Sequence, residues 1–152
     1  MGSNRRMSAS CVVIKDSKVL LERQTYGPAK GKYLIPGGFG EAGEMPEDAA
    51  KREVYEETGV HVKVKELVAL RFTKENIWCI FQGEYVSGTP RVDGMEVDDV
   101  RFMDIEEALR SEKVVETTRV ILKGILNEKK QNLGKSEFVN RSFTGKDWQL
   151  YI

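Results

Sequence analysis

The chain has 152 residues, with 40% hydrophobic and 32% charged side chains, the composition of a folded globular protein and not of a disordered one. Its 24 basic and 24 acidic side chains leave a formal net charge of +0, so no basic excess points to a duplex nucleic acid partner. A small phosphorylated ligand held by a local cluster stays open.

The opening MGSNRRMSAS lacks the apolar stretch of a signal peptide, and Met1–Gly2–Ser3 reads as a cloning remnant. No apolar run reaches the ~20 residues of a membrane span. The expectation is a cytoplasmic protein with no membrane partner, residues 1–7 forming a flexible N-terminus and 8–152 a single domain. Ser8–Lys15 and Lys18–Arg23 are apolar runs around Asp16–Ser17, which predicts a β-hairpin. Gln24–Lys32 is a loop carrying Gly27, Pro28 and Gly31, and Tyr33–Ile35 is a short apolar piece stopped by Pro36–Gly37–Gly38.

From Pro46 the pattern becomes helical. Proline suits the first helical position, Glu47 and Asp48 suit the positive end of the dipole, and Gly59 closes the helix. Met45 is a poor N-cap. His61–Thr73 and Ile77–Val86 read as strands rich in β-branched and aromatic residues. After the Gly88–Gly94 loop come a short strand at Asp99–Met103 and a helix at Ile105–Arg110, opened by Asp104 and Glu107 in a capping-box pattern. A further helix is predicted over Val114–Lys129. The tail from Gln131 carries Phe138, Phe143, Trp148, Leu150 and Tyr151, too aromatic to stay undocked; it packs on its own domain or makes a homodimer contact. Strands on both sides of one helix, then further helices, predict a layered α/β or α+β fold with a mixed sheet. Cys11 and Cys79 lack metal-type spacing and sit in apolar β-rich stretches, so they read as reduced, buried thiols. His61, the one histidine, begins a strand and reads as structural.

The chemistry concentrates in GFGEAGEMPEDAAKREVYEETGV, residues 38–60. Glu53, Glu56 and Glu57 stand at i, i+3 and i+4, so their carboxylates share an arc about 100° wide. Partly buried carboxylates ~6 Å apart repel by roughly 3 kcal/mol at an effective dielectric near 20. Arg52 can pair with Glu56 one turn on, but one guanidinium does not balance three carboxylates. A hard divalent cation would, Mg²⁺ first, with Mn²⁺ or Ca²⁺ chemically allowed. Such a helix face is ordinarily just solvated; here the Cβ-free Pro36–Gly37–Gly38 backbone can come close and lend carbonyls.

The segment resembles the Nudix box, G-x5-E-x7-R-E-U-x-E-E-x-G-U with U bulky and aliphatic, at Gly38, Glu44, Arg52, Glu53, Val54, Glu56, Glu57, Gly59 and Val60. The resemblance implies the Nudix fold, an α/β/α sandwich with a mixed central β-sheet, and Mg-dependent hydrolysis of a diphosphate linkage in a nucleoside diphosphate derivative by water attack on phosphorus. It also implies that Glu56 and Glu57 are metal ligands and Glu53 a ligand or general base. The Gly37 or Gly38 carbonyl would complete the shell, Arg52 would orient the glutamates, and Glu44 would support them. The family often adds a carboxylate from a later loop; Glu96, Asp98 and Asp99 are candidates, with Glu96 favoured as ligand or base. Met45 stands where the family often has a capping Ser or Thr, which touches stability alone.

For substrate contacts, Arg23, Lys30, Lys32 and Arg71 could meet phosphates, and Tyr26, Tyr33, Phe39, Phe72 and Trp78 could stack on a base. Arg23, Lys32, Phe39, Arg71 and Trp78 are the preferred set. Lys74–Ile77 lacks the proline that resembles an ADP-ribose hydrolase marker, and no tyrosine marks a dinucleoside polyphosphate hydrolase. Nucleoside triphosphates, nucleotide sugars and ADP-ribose-like compounds stay open. The competing readings are a non-catalytic Nudix-like nucleotide-binding or regulatory module, which typically loses box carboxylates, and an adaptor using the aromatic tail.

Overall fold

The structure is a computed structural model and describes residues 4–129, 132–141 and 147–152. The predicted hairpin is β1 (Arg6–Lys15) and β2 (Lys18–Gln24), turning through Asp16 and Ser17 at φ of 50° and 61°. Two successive positive φ values match the twist of the strands. β1 starts two residues earlier than expected. Arg5 and Arg6, assigned from sequence to a flexible N-terminus, bond instead to the turn after the fifth strand: Arg5 Nε donates to the Lys74 carbonyl at 3.2 Å and Arg6 N to the Glu75 carbonyl at 2.8 Å.

β3 (Tyr33–Leu34) is followed by β4 (Gly37–Phe39), a strand where the sequence predicted only a stop. Gly37–Phe39 pairs antiparallel with Ser8–Ser10 of β1. That pairing needs glycine: a Cβ on Gly37 would sit 2.0 Å from Ser10 Oγ and 2.4 Å from the Ala9 carbonyl oxygen. Helix α1 (Pro46–Thr58) has Pro46 in its first turn, no side-chain cap from Met45, and Gly59 at φ 74° as its left-handed C-cap, all as the sequence predicts. β5 (His61–Thr73), β6 (Asn76–Ser87) and β7 (Val97–Asp104) follow, then α2 (Ile105–Arg110), α3 (Glu116–Ile125) and β8 (Trp148–Tyr151).

Asp104 caps α2 by accepting from the Glu106 and Glu107 amides. α3 is shorter than the predicted Val114–Lys129. Its start is pulled out of the helix because Tyr33 N donates to the Lys113 carbonyl and Val115 N to the Tyr33 carbonyl, leaving Val115 extended at ψ 136°. The part of the tail that is described supplies a strand: β8 pairs antiparallel with β5, Thr73 opposite Trp148 and Leu70 opposite Tyr151. Phe143 and Gln131 lie outside the described residues.

The sheet is mixed. β1 runs parallel to β6 from Arg6–Asn76 to Ile14–Glu84, while β5–β6, β2–β7 and the hairpin are antiparallel. β1 contacts β2 only near the hairpin turn and β4 only near its own start, so β2, β3 and β7 splay away and open a notch along β1. Alternation sends side chains to two cores. Ala9, Cys11, Val13 and Leu20 join Ala49, Ala50 and Val54 of α1 on one face; Val12, Val19 and Leu21 join Ala108, Ile121 and Leu122 of the other helices on the opposite face. The result is the expected α/β/α layering. Cys11 and Cys79 are free and buried, as expected, and burial pushes the Cys11 thiol up to about 12. Among the described residues no helix is long and apolar enough to cross a membrane.

Candidate functional site

α1 fixes the acidic residues by its periodicity. Its buried stripe of Ala49, Ala50 and Val54 sits on the sheet, which aims Glu57 into the notch with only 7% of its surface exposed. Glu53 lines the same cleft one turn earlier, whereas the Glu56 side chain stays 56% exposed. The cleft has a volume of about 450 Å³. Its lining joins Glu53, Glu57 and Glu96 to the Gly37–Gly38 backbone and to Arg71 and Trp78.

Arg52 organises the outer edge. Its guanidinium holds Glu44 at 2.9 Å, Glu53 at 2.8 Å and Glu56 at 3.1 Å, and donates to the Phe39 carbonyl at 3.1 Å. The predicted Arg52–Glu56 pair exists but is one of three. The Arg52 hydrogen bonds, helped by the Glu41 amide, bring Glu44 down to about 2. The Glu44 carboxylate raises the affinity of Arg52 for its proton in turn. Glu53 goes the other way: burial raises its proton affinity against the pull of Arg52.

The inner edge holds a residue that the sequence reading passed over. Glu22 is fully buried at 0% exposure. It follows Leu20 by two positions on β2, so the strand period turns it toward α1, where it meets Glu57. The two carboxyl groups are within hydrogen-bonding reach of each other, yet as carboxylates both only accept. Glu57 has a donor in the Gly37 amide at 3.0 Å. Neither Glu22 oxygen has a partner among the described residues. Burial first, and Glu57's charge second, push Glu22 far above the usual carboxylate range; burial also raises Glu57. The signal was present: a glutamate at the period-two position of an otherwise apolar strand, in KVLLERQ.

Gly38 completes the cradle. A Cβ there would lie 2.7 Å from the Glu53 carboxyl carbon, so glycine lets this backbone and the carboxylate approach. Glu96 stands on a braced loop: the Asp93 carboxylate accepts from the Met95, Glu96 and Val97 amides, and the Thr25 hydroxyl and amide donate to the Glu96 carbonyl.

Of the three loop carboxylates considered from sequence, only Glu96 lines the cleft. Asp98 is held by Arg23 at 2.7 Å, and Asp99 is engaged by Tyr33 and Arg101. The structure likewise places Arg23 and Lys32 outside the cleft lining, Arg23 tied to Asp98 and Lys32 exposed in its loop. Arg71, Trp78 and Phe39 do line it. Arg71 stacks over Trp78 at 4.8 Å and donates to Asn76 Oδ1 at 2.6 Å, Trp78 Nε1 donates to Ser10 Oγ at 2.9 Å, and Arg6 covers Phe39 at 3.5 Å. Tyr26 also lines the cleft. Tyr33 is buried in the core, and Phe72 packs edge-on against Tyr151. His61 stacks on Tyr55 at 4.2 Å, the structural role expected of it.

The donors fit a hard cation. They are all oxygens, and a buried carboxylate without a partner is a large electrostatic cost that a positive ion removes. Among the described residues no three acidic side chains form a complete cage. Mg²⁺ does not need one, since it ordinarily takes one or two carboxylates plus water and substrate phosphates.

A family profile described as NUDIX domain matches residues 4–124. An ADP-ribose pyrophosphatase of Methanocaldococcus jannaschii is 32% identical over 114 residues, 68% of this chain and 67% of that protein. An NAD-capped RNA hydrolase, NudC, of Vibrio parahaemolyticus is 32% identical over 107 residues, 64% of this chain but only 39% of that protein. The crystal structure of a MutT protein from Methanosarcina mazei superimposes with a TM-score of 0.72 at 22% identity, covering 86% of this chain and 99% of that one; this likeness is one of fold.

Proposed function

Because the chain belongs to the Nudix family of pyrophosphohydrolases, we propose that it cleaves the diphosphate linkage of a small nucleotide derivative with Mg²⁺, or Mn²⁺ in its place, as the cofactor. The observation that carries this reading is the convergence of Glu53, Glu57 and Glu96 with the Gly37–Gly38 backbone on one cleft that Arg71 and Trp78 also line. Glu57 and Glu96 with a Gly37 or Gly38 carbonyl would hold the cation, with Glu56 at the exposed rim and Glu53 serving as a further ligand or as the base. When bound, Mg²⁺ neutralises the diphosphate oxygens and makes water a better nucleophile at neutral pH.

The remaining work falls to the chain's own groups. Half-buried Glu53, whose proton affinity is raised, suits the general base that takes a proton as water oxygen attacks phosphorus. The bridging oxygen leaves with the other phosphate. Arg52 keeps Glu53 and Glu56 in fixed rotamers through its two short bonds. Trp78, backed by Arg71 and anchored on Ser10, offers an aromatic face for a base, and the Arg71 guanidinium a charge for phosphate.

The test is product release from a panel of nucleotides with Mg²⁺, comparing the natural chain with Glu57→Gln. The relatives' names put ADP-ribose and NAD-capped RNA first, followed by NADH, nucleotide sugars, dinucleoside polyphosphates and canonical or oxidised nucleoside triphosphates. We expect one class to be cut far faster than the rest and Glu57→Gln to lose about 100-fold or more. Natural rates in a folded Glu57→Gln protein would refute the mechanism. Nucleotide binding without cleavage of any compound would instead favour a binding module.

A further inference from the structure

We propose that Glu22 is a cation ligand of this site, forming with Glu57 a buried two-carboxylate arm behind the cleft. The inference rests on the reading of the cleft as a divalent-metal site and adds to it a residue from β2, outside the acidic helix and outside the loop before β7.

The position is unusual for the strand that bears it. Val19, Leu20 and Leu21 are completely buried, and Glu22 is buried as deeply as they are. A glutamate at such a position is expected to carry a salt bridge or several hydrogen bonds. Glu22 has neither: both oxygens are sealed from solvent and without a partner among the described residues. The group it does face is another carboxyl, Glu57, and Glu53 and Asp93 add further negative charge nearby.

Two cations close by in sequence are committed elsewhere. Arg52 is divided among Glu44, Glu53 and Glu56, and Arg23 on the same strand turns to the opposite side and binds Asp98. Glu57 is itself held by the Gly37 amide through Oε2, which fixes the carboxyl that Glu22 confronts and keeps the two from swinging apart. A pair of facing carboxyl groups either shares one proton or closes around a positive ion, and the further negative charge of Glu53 and Asp93 beside it favours the ion. Glu57 lines the cleft while Glu22 lies behind it. An ion held by the two is therefore reached from the cleft side, where water and a substrate phosphate can complete its shell.

The test uses the full chain, stripped with chelator and titrated with Mn²⁺ alone, following free Mn²⁺ by electron paramagnetic resonance. Glu22→Gln should weaken Mn²⁺ binding about 10- to 100-fold, the range seen when groups supporting a metal are removed, with circular dichroism unchanged. Equal affinity in the natural and Glu22→Gln proteins overturns the proposal and leaves the general metal-site reading standing. Absence of Mn²⁺ binding in the natural protein overturns both. A second measurement needs no variant: in Mn²⁺-soaked crystals, anomalous density should lie within coordinating distance of a Glu22 oxygen. Manganese bound in the cleft with Glu22 facing Glu57 and no ion between them refutes the assignment.

Discussion

Replacing Glu22 by Gln should make the metal-free protein more stable, a result that runs against the usual outcome of a core substitution. The fully buried Glu22 carboxyl has no donor and faces Glu57, so the folded chain holds its proton far more tightly than the unfolded chain does. The sign follows directly. With the folded value raised, the folded state binds more protons than the unfolded one between the two values, so stability is full below the unfolded value and falls as pH rises toward the folded one. Starting from the ordinary value of 4.5, each further pH unit costs about 1.4 kcal/mol, which comes to about 3 kcal/mol at pH 7. The amide of Gln does not titrate and can donate to Glu57. In the presence of chelator, Glu22→Gln should therefore match the natural protein near pH 4 and exceed it by about 3 kcal/mol at pH 7, a rise in Tm of about 6–12 °C for a chain of this size. Urea unfolding at both pH values measures the difference. Saturating Mn²⁺ should shrink the gap, because the protein that binds the ion more tightly gains more from it. Equal or lower stability of Glu22→Gln at pH 7 in chelator would refute the account of Glu22 as a buried carboxyl without compensation.

Gly38→Ala places a methyl group 2.7 Å from the Glu53 carboxyl; displacing Glu53 should lower kcat about 100-fold, and steady-state kinetics beside a melting curve would separate this loss from misfolding. Leu150→Ala removes a side chain that is 1% exposed in the core between β5 and α3, and should cost about 2–5 kcal/mol in chemical denaturation; a change below about 0.5 kcal/mol would mean that the C-terminal strand does not belong to the folded unit.

The helix that carries the acidic residues was legible because every determinant of it is local. Pro46, the i, i+3, i+4 glutamates and Gly59 act within one or two turns, and α1 ends where those residues say it should. The hairpin turn at Asp16–Ser17 and the Asp104 cap are local for the same reason. The spacing of Arg52, Glu53, Glu56 and Glu57 likewise placed the candidate carboxylates together, because spacing along a helix is spacing in space; the α/β/α architecture followed from the resemblance of the whole segment to the Nudix box.

What lay beyond local reach depended on which strands met. Gly37–Phe39 is a strand only because Ser8–Ser10 runs alongside it, and α3 starts late only because Tyr33 captures the backbone around Lys113–Val115. Arg23 looked like a phosphate contact until β7 brought Asp98 to it, and Asp99 like a metal ligand until Tyr33 and Arg101 engaged it. Glu22 and Glu57 are thirty-five positions apart, and their confrontation exists only when β2 splays from β1 and α1 packs across the notch. A side chain's charge and its secondary structure are written in the neighbouring residues. Whether that charge is solvated, paired or left to await an ion is decided by long-range packing, which sets the dielectric around it and the partners within reach.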